Sequence, residues 1–325
     1  MPAGEFELIE RHFTRRGAQR EDVLAGVGDD GAIVAGPPGG ALVLALDTIV
    51  EGVHFPADFD ARFVGHRALA VNLSDLAAMG AEPAWALLGL TLPAVDEHWL
   101  TGFSAGLDAL ARRYNVALVG GDTTRGPLTV TLTLAGTVPP GQAIYRDGAR
   151  AGDDLWISGT PGDAAAGLAI FQGRLPAQGR ARDALLGRFQ LPQARVALGI
   201  ALRGIATACI DVSDGLAADL EKLCRASGVG ADIESRELPL SAGLCSVAGL
   251  EARLGFALGG GDDYELLFTA PPAERARIAA LDAGVVLKRI GTVSEAAGVR
   301  VDGEVPERDA GHGFDHFADR GGSPR

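Results

Sequence analysis

Lysine is almost absent: of 29 basic residues in 325, only Lys222 and Lys288 are lysines, against 42 acidic residues and a net charge of −13. Such a chain has no basic stripe with which to neutralise a polynucleotide backbone, so nucleic-acid binding is not expected. A phosphorylated ligand would need divalent cations as intermediaries, because the net field repels anions. Cysteine is scarce too. Cys209, Cys224 and Cys245 show no CxxC spacing and cannot all pair, which argues against a zinc knuckle or a disulfide framework and predicts a reducing, cytoplasmic setting. Long apolar runs are missing: the longest weakly polar stretch, Ala84 to Val95, has 12 residues, short of a membrane span. The acidic opening MPAGEFELIERHF also lacks the pattern of a signal peptide.

Two common nucleotide motifs are absent as well. Neither lysine follows a GxxxxG string, which excludes a P-loop. Gly26, Gly28 and Gly31 match GxGxxG formally, but the segment before them is a weak strand, and Asp29 and Asp30 stand where a bare pyrophosphate would be repelled. His312 and His316 have the i, i+4 spacing of a metal pair but glycines flank His312, and no Glu intervenes as in HExxH.

What is present is an ordinary globular composition, with 47% hydrophobic and 22% charged residues, long enough for two domains. Short β-branched or Leu-rich runs predict strands at Leu42–Leu46, Trp85–Leu92, Ala117–Val119 and Leu128–Val138, and longer periodic runs predict helices at Phe63–Met79 and Leu100–Tyr114. After Pro139-Pro140-Gly141 a second series begins, placing a boundary near residue 150 and domains at 1–150 and 151–325. In it, strands are predicted at Asp154–Ser158, Ala208–Asp211, Tyr264–Thr269 and Lys288–Val293, with helices at Asp163–Gln172, Gln193–Arg203 and Gly215–Ala226.

The aspartates stand out by position: Asp29 and Asp30 in GVGDDG, Asp47 in LALDTIVEGVHF, Asp75 in NLSDLAAMG, Asp122 in VGGDTTRG, Asp211 and Asp214 in IDVSDGL, Asp262 and Asp263 in GGGDDYELL. Most follow an apolar run or sit beside glycine with no lysine nearby, unlike a solvated helix face that mixes both signs. Any one of them could be a turn former or a cap. As a set they predict a cleft where Mg²⁺, which takes hard oxygen ligands and shares them with water and phosphate, bridges the protein to an anion. Asp75 interrupts an apolar helical pattern, where a carboxylate without a partner would be unfavourable. Ser213 and Asp214 precede a helix, so their turn is expected to offer carboxylates and backbone N–H groups to one ligand. Gly120 and Gly121, expected to follow a strand, would let a phosphate or base approach the backbone.

These strings, running from GEFELIERHF through GVGDDGAIV, DTIVEGVHF, NLSDLAAMGAEP, GGDTTRG, YRDGARAGDDLWISG, IDVSDGLAADL and GGGDDYELLF to GFDHF, resemble the thiamine-monophosphate kinase family. The resemblance spans nearly the whole chain. It implies an α/β (α+β) fold of two domains, the N-terminal one contributing strands to a β-barrel spanning a homodimer and the C-terminal one α+β. It implies ATP-dependent phosphorylation of thiamine monophosphate to thiamine diphosphate by direct transfer, with several Mg²⁺ ions. By the same resemblance Asp30, Asp47, Asp75, Asp122, Asp211 and Asp214 would hold metal. Gly121, Asp122, Arg146 and Ser213 would contact ATP, and His54, Asp262 and Phe314 would contact thiamine monophosphate. The chain departs from the pattern at Ala45 and Leu46, where the family usually has Thr or Ser, near Ser104 and Ala105, where an aromatic is missing, and at Asp262, where Glu is usual. Two alternatives remain: another ATP-using ligase of the same superfamily, closing a ring on a purine precursor, and a catalytically silent nucleotide-binding module.

Overall fold

The computed structural model describes residues 5–27 and 31–305. Their contacts divide the chain into two compact units, one built from the residues up to Leu76 with Ala81–Gly141, the other from Ala77–Gly80 with the residues from Gln142 onward. The first contains α1 (Glu5–His12), β1 (Val23–Ala25), β2 (Ile33–Val34), β3 (Ala41–Val50), most of α2 (Ala61–Ala78), β4 (Glu82–Leu92), α3 (Glu97–Arg113), β5 (Ala117–Arg125) and β6 (Thr129–Val138). Its main sheet has the order β3-β6-β4-β5, antiparallel except for the parallel pair β4–β5, which α3 connects as a crossover.

Helix α2 is enclosed on nearly every side, with every residue from Ala68 to Ser74 buried, so it forms the centre of this unit rather than its surface. It crosses α3 at backbone contact. A Cβ on Gly65 would lie 2.0 Å from the Phe103 carbonyl oxygen, and one on Gly106 would lie 2.0 Å from that of Arg62, so only glycine permits the crossing. Helix α3 starts where Asp96 accepts from the N–H groups of His98 and Trp99, an N-cap that stops the helix from extending backwards.

The second unit contains β7 (Asp154–Ser158), α4 (Asp163–Phe171), α5 (Gly179–Gln190), α6 (Val196–Ala201), β8 (Ala208–Asp211), α7 (Leu216–Ser227), β9 (Gly230–Ile233), α8 (Ala242–Val247), α9 (Leu250–Gly259), β10 (Leu266–Ala270), α10 (Arg275–Ala279), β11 (Leu287–Ser294) and β12 (Gly298–Val301). The strand order is β12-β9-β11-β7-β10-β8, with only β12–β9 parallel. Leu155, Ile157, Ile210 and Leu267 from the sheet and Leu216, Leu220 and Leu223 from α7 share one core.

Two expectations are corrected. The strand predicted to end at Val119 continues to Arg125, because β4 supplies partners all the way, Leu87 with Gly120 through Leu92 with Arg125. The helix predicted over Gln193–Arg203 is confined to Val196–Ala201. Among the described residues no helix is long and apolar enough to cross a membrane.

Candidate active site

In the first unit, β3 alternates. Val43 and Ile49 are buried, while Leu42, Leu44 and Leu46 on the other face are 57%, 68% and 62% exposed. Asp47 shares the parity of Val43 and Ile49, and its carboxyl hydrogen-bonds that of Asp75 from α2. Burial raises the Asp47 pKa above the ordinary carboxylate value, and the bond to Asp75 opposes the rise. Two half-buried carboxyls in contact must share a proton or accept a cation. One partner of Asp75 in its apolar context is thus a second acid.

The register sets Asp122 apart from this pair. Asp47 pairs with Leu132, Leu132 with Leu88, and Leu88 with Gly121, so Asp122 lies one row on, level with Gly89 and Thr131. Asp47 and Asp122 thus occupy opposite edge strands, about 14 Å apart at ordinary strand spacing, and by parity opposite faces. Asp122 instead lines a cavity of about 1020 Å³ with Leu42, Leu44, Leu87, Thr131 and Trp85. Gly121 has φ 154°, and a Cβ there would fall 1.9 Å from the Leu88 carbonyl oxygen. Its glycine is required by strand pairing, whatever ligand also approaches.

His54 sits in the turn after β3, where its Nδ1 accepts from the Val50 N–H at 3.0 Å. That bond orients the ring and places the proton of the neutral imidazole on Nε2.

In the second unit, four of the predicted positions come together. Asp211 ends β8 and is buried, and the turn after it carries Ser213 and Asp214. The Gly260–Glu265 segment runs alongside, with the Asp262 N–H donating to the Ser213 carbonyl at 2.9 Å and the Tyr264 N–H to that of Val212 at 2.8 Å. Asp262 and Tyr264 both have positive φ, 70° and 52°. Non-glycine residues rarely hold that conformation, and here the two-loop pairing imposes it. The Tyr264 hydroxyl donates to Asp262 Oδ1 at 3.2 Å. Arg146 is exposed and has no ion pair among the described residues.

Two local expectations change here. Lys222 lies beside the acidic turn, its Nζ 2.5 Å from Asp214 Oδ2 and 2.7 Å from Asp219 Oδ1, because one helical segment brings back a base eight residues on. The backbone N–H groups of Ser213, Asp214 and Gly215, predicted to face a ligand, all donate to Asp219 Oδ2 at 2.9, 3.0 and 3.2 Å.

Asp219 and Glu265 have no role in the sequence pattern, and Asp263 figures there only as one of the clustered aspartates. Asp263 is buried and accepts from the N–H groups of Gly162 and Ala164 at the start of α4. Burial pushes its pKa up to about 8 against those two bonds and the nearby Arg188. Glu265, fully buried, is paired with Arg188 and Arg195 and accepts from the Ser158 hydroxyl. Burial works to raise it, and Arg195 and Arg188 with Ser158 outweigh burial, holding it below the usual range. An acid in the first turn of α7 is the readable signal for Asp219. Glu265 has none, since its arginines lie 70 and 77 residues away. Asp30 and Phe314 lie outside the described residues.

Two family models divide the chain between them. The N-terminal domain of AIR synthase related proteins matches residues 28–138, and the C-terminal domain matches 150–304. The mixed α/β, two-domain fold is thus that of the AIR synthase related proteins. The chain is 47% identical over 324 residues to the thiamine-monophosphate kinase of Escherichia coli (strain K12), covering 98% of this chain and 99% of that one. It is similar to the crystal structure of thiamine-monophosphate kinase from Stenotrophomonas maltophilia K279a, with TM-score 0.85 and 45% identity over 89% of this chain and 93% of that one. It is also similar to AaThiL complexed with AMPPCP and TMP, with TM-score 0.78 and 33% identity over 97% of each chain. The chain belongs to the thiamine-monophosphate kinase family.

Proposed function

We propose that the chain transfers the terminal phosphoryl group of ATP to thiamine monophosphate, giving thiamine diphosphate and ADP, in the cytoplasm. The observation that carries this reading is the end-to-end similarity to thiamine-monophosphate kinases, which takes in both units rather than one motif. Among the described residues no three His, Cys, Asp or Glu side chains converge on one metal position. The donor set still fits Mg²⁺: Asp47 and Asp75 are hard oxygen donors already in contact, and Mg²⁺ is commonly held by one or two carboxylates, the rest of its shell being water and substrate phosphate.

In this reading Asp30, Asp47, Asp75, Asp122, Asp211 and Asp214 hold several Mg²⁺ ions, Asp122 a different one from the Asp47–Asp75 pair, and when bound these ions neutralise charge on the transferring phosphoryl group. Gly121, Asp122 and Ser213 contact ATP, and Arg146 grips a phosphate through its planar guanidinium. His54, held by Val50, offers an N–H to the substrate monophosphate. Asp262 and Phe314 suit the cationic thiazolium, one by charge and the other by its ring face. Phosphoryl transfer asks for positioning and charge neutralisation rather than a protein nucleophile, which fits a site built of aspartates. Saturating Mg²⁺ with a nonhydrolysable ATP analogue should raise the melting temperature, since ligand at a hundredfold excess over Kd adds about 2.7 kcal/mol of stability. Calorimetry checks this: the shift is expected with Mg²⁺ and lost with EDTA, and no shift in either would refute the site.

We also infer that the working form is a homodimer. The open face carrying Leu42, Leu44 and Leu46 is an exposed apolar patch of the kind that marks a protein interface. A second copy covering it would extend the four-stranded sheet toward a barrel and make Asp122 part of a shared cavity. Light scattering should read two copies for the native chain and one for Leu44→Glu; a native monomer would contradict the inference.

A further inference from the structure

Resting on the reading above, in which Ser213 contacts ATP and Asp214 holds metal, we propose that Asp219 is the positioning residue of the Ser213–Gly215 turn, with Lys222 as its counter-charge. The side chain of Asp219 is 1% exposed. One oxygen, Oδ2, takes the N–H groups of three successive residues at 2.9, 3.0 and 3.2 Å, and the other, Oδ1, takes Lys222 Nζ at 2.7 Å. Lys222 then reaches Asp214 Oδ2 at 2.5 Å.

The connection is a relay: helix α7 carries Asp219, Asp219 folds the turn around its carboxylate, and Lys222 fixes the orientation of Asp214. The turn needs such an anchor, because Gly215 at its end has φ 129° and α7 has no side-chain cap from the residue before it. Without Asp219, three adjacent N–H donors would have to find other acceptors, and the turn would relax away from the geometry that presents Ser213 and Asp214.

Asp219→Asn separates this role from general stability. The amide oxygen can still accept from the backbone, but its NH₂ group faces the Lys222 ammonium, donor against donor. Asp219→Asn/Lys222→Gln removes that conflict, since the glutamine oxygen can accept from the new amide while its own NH₂ donates to Asp214 in place of the Lys222 ammonium. Binding of AMPPCP with Mg²⁺ by titration calorimetry is the readout, with thermal melting alongside. Asp219→Asn should weaken binding at least about tenfold, and the double variant should recover to within about threefold of the native protein. If Asp219→Asn lowers the melting temperature yet leaves binding within about twofold, Asp219 is merely structural and the proposal falls. If Ser213→Ala and Asp214→Asn also bind as the native protein does, the assignment of this turn to nucleotide and metal is what has failed, and the positioning role falls with it.

Discussion

Asp75→Asn is expected to lower turnover about a thousandfold at saturating ATP and thiamine monophosphate while leaving the melting temperature unchanged or slightly raised. The two halves of this result have different causes. The loss of rate follows from removing a metal carboxylate, because an amide oxygen is a neutral, weaker donor to Mg²⁺. Losing about 4 kcal/mol of charge stabilisation in the transition state corresponds to about three orders of magnitude. The preserved stability follows from the pair itself. Asp47 and Asp75 hydrogen-bond to each other, which needs a proton between them, and burial raises the Asp47 pKa while that bond opposes the rise. The amide introduced by Asp75→Asn would donate its NH₂ to Asp47 in place of the shared proton, leaving the packing of α2 as it was. Steady-state assays of ADP release and a melting curve check both halves. A variant that turns over within about threefold of the native enzyme would refute the assignment of Asp75 to metal.

Glu265→Ala should act in the opposite sense, on stability first. Glu265 is fully buried between Arg188 and Arg195, whose side chains are 17% and 14% exposed. Deleting the acid leaves two guanidinium groups poorly solvated and without their partner, and breaking a buried pair in this way costs about 3–5 kcal/mol. For a domain of this size that is a fall of roughly 6–20 °C in Tm. The pH dependence carries a sign. Because the folded pKa of Glu265 is depressed below the ordinary value of 4.5, its contribution is fully present above that value and is lost as pH falls through the folded pKa. The gap in Tm between native and variant should therefore be constant near neutrality and narrow on acidification below about pH 4.5. A gap that widens in acid, or is absent at neutral pH, would show that the arginines are neutralised by some other group.

How much of the fold a sequence announces depends on how local its causes are. Strands β7 and β8 have the ends expected of them, Asp154–Ser158 and Ala208–Asp211, because each is a short apolar run closed by turn residues. Helix α5, GRARDALLGRFQ, carries no such signal. It buries only Leu185, Leu186 and Phe189 and opens on glycine, so its helicity comes from packing rather than local preference. Strand β12 has four residues and pairs in parallel with β9, a non-local register that no local pattern announces.

At the site, residue type is legible and arrangement is not. Asp211, Ser213, Asp214 and Asp262 do meet, through the pairing of two loops that are distant in the chain. Asp47 and Asp75 meet, while Asp122 lies across the sheet from them, a separation fixed by the strand order β3-β6-β4-β5. Lys222 is far enough along the chain to look unrelated to the acidic turn, and only the winding of α7 returns it there. The departures at Ala45 and Leu46 fall on β3 beside the exposed leucine face, where apolar surface stands in place of a hydroxyl.

The most direct test is phosphorus NMR of the protein incubated with ATP, MgCl₂ and thiamine monophosphate, with controls lacking each in turn. Thiamine diphosphate and ADP should appear together in equal amounts, with neither formed when thiamine monophosphate or Mg²⁺ is withheld. ADP and inorganic phosphate accumulating without thiamine diphosphate, or no turnover despite tight binding of Mg²⁺ and ATP, would contradict the proposed phosphoryl transfer.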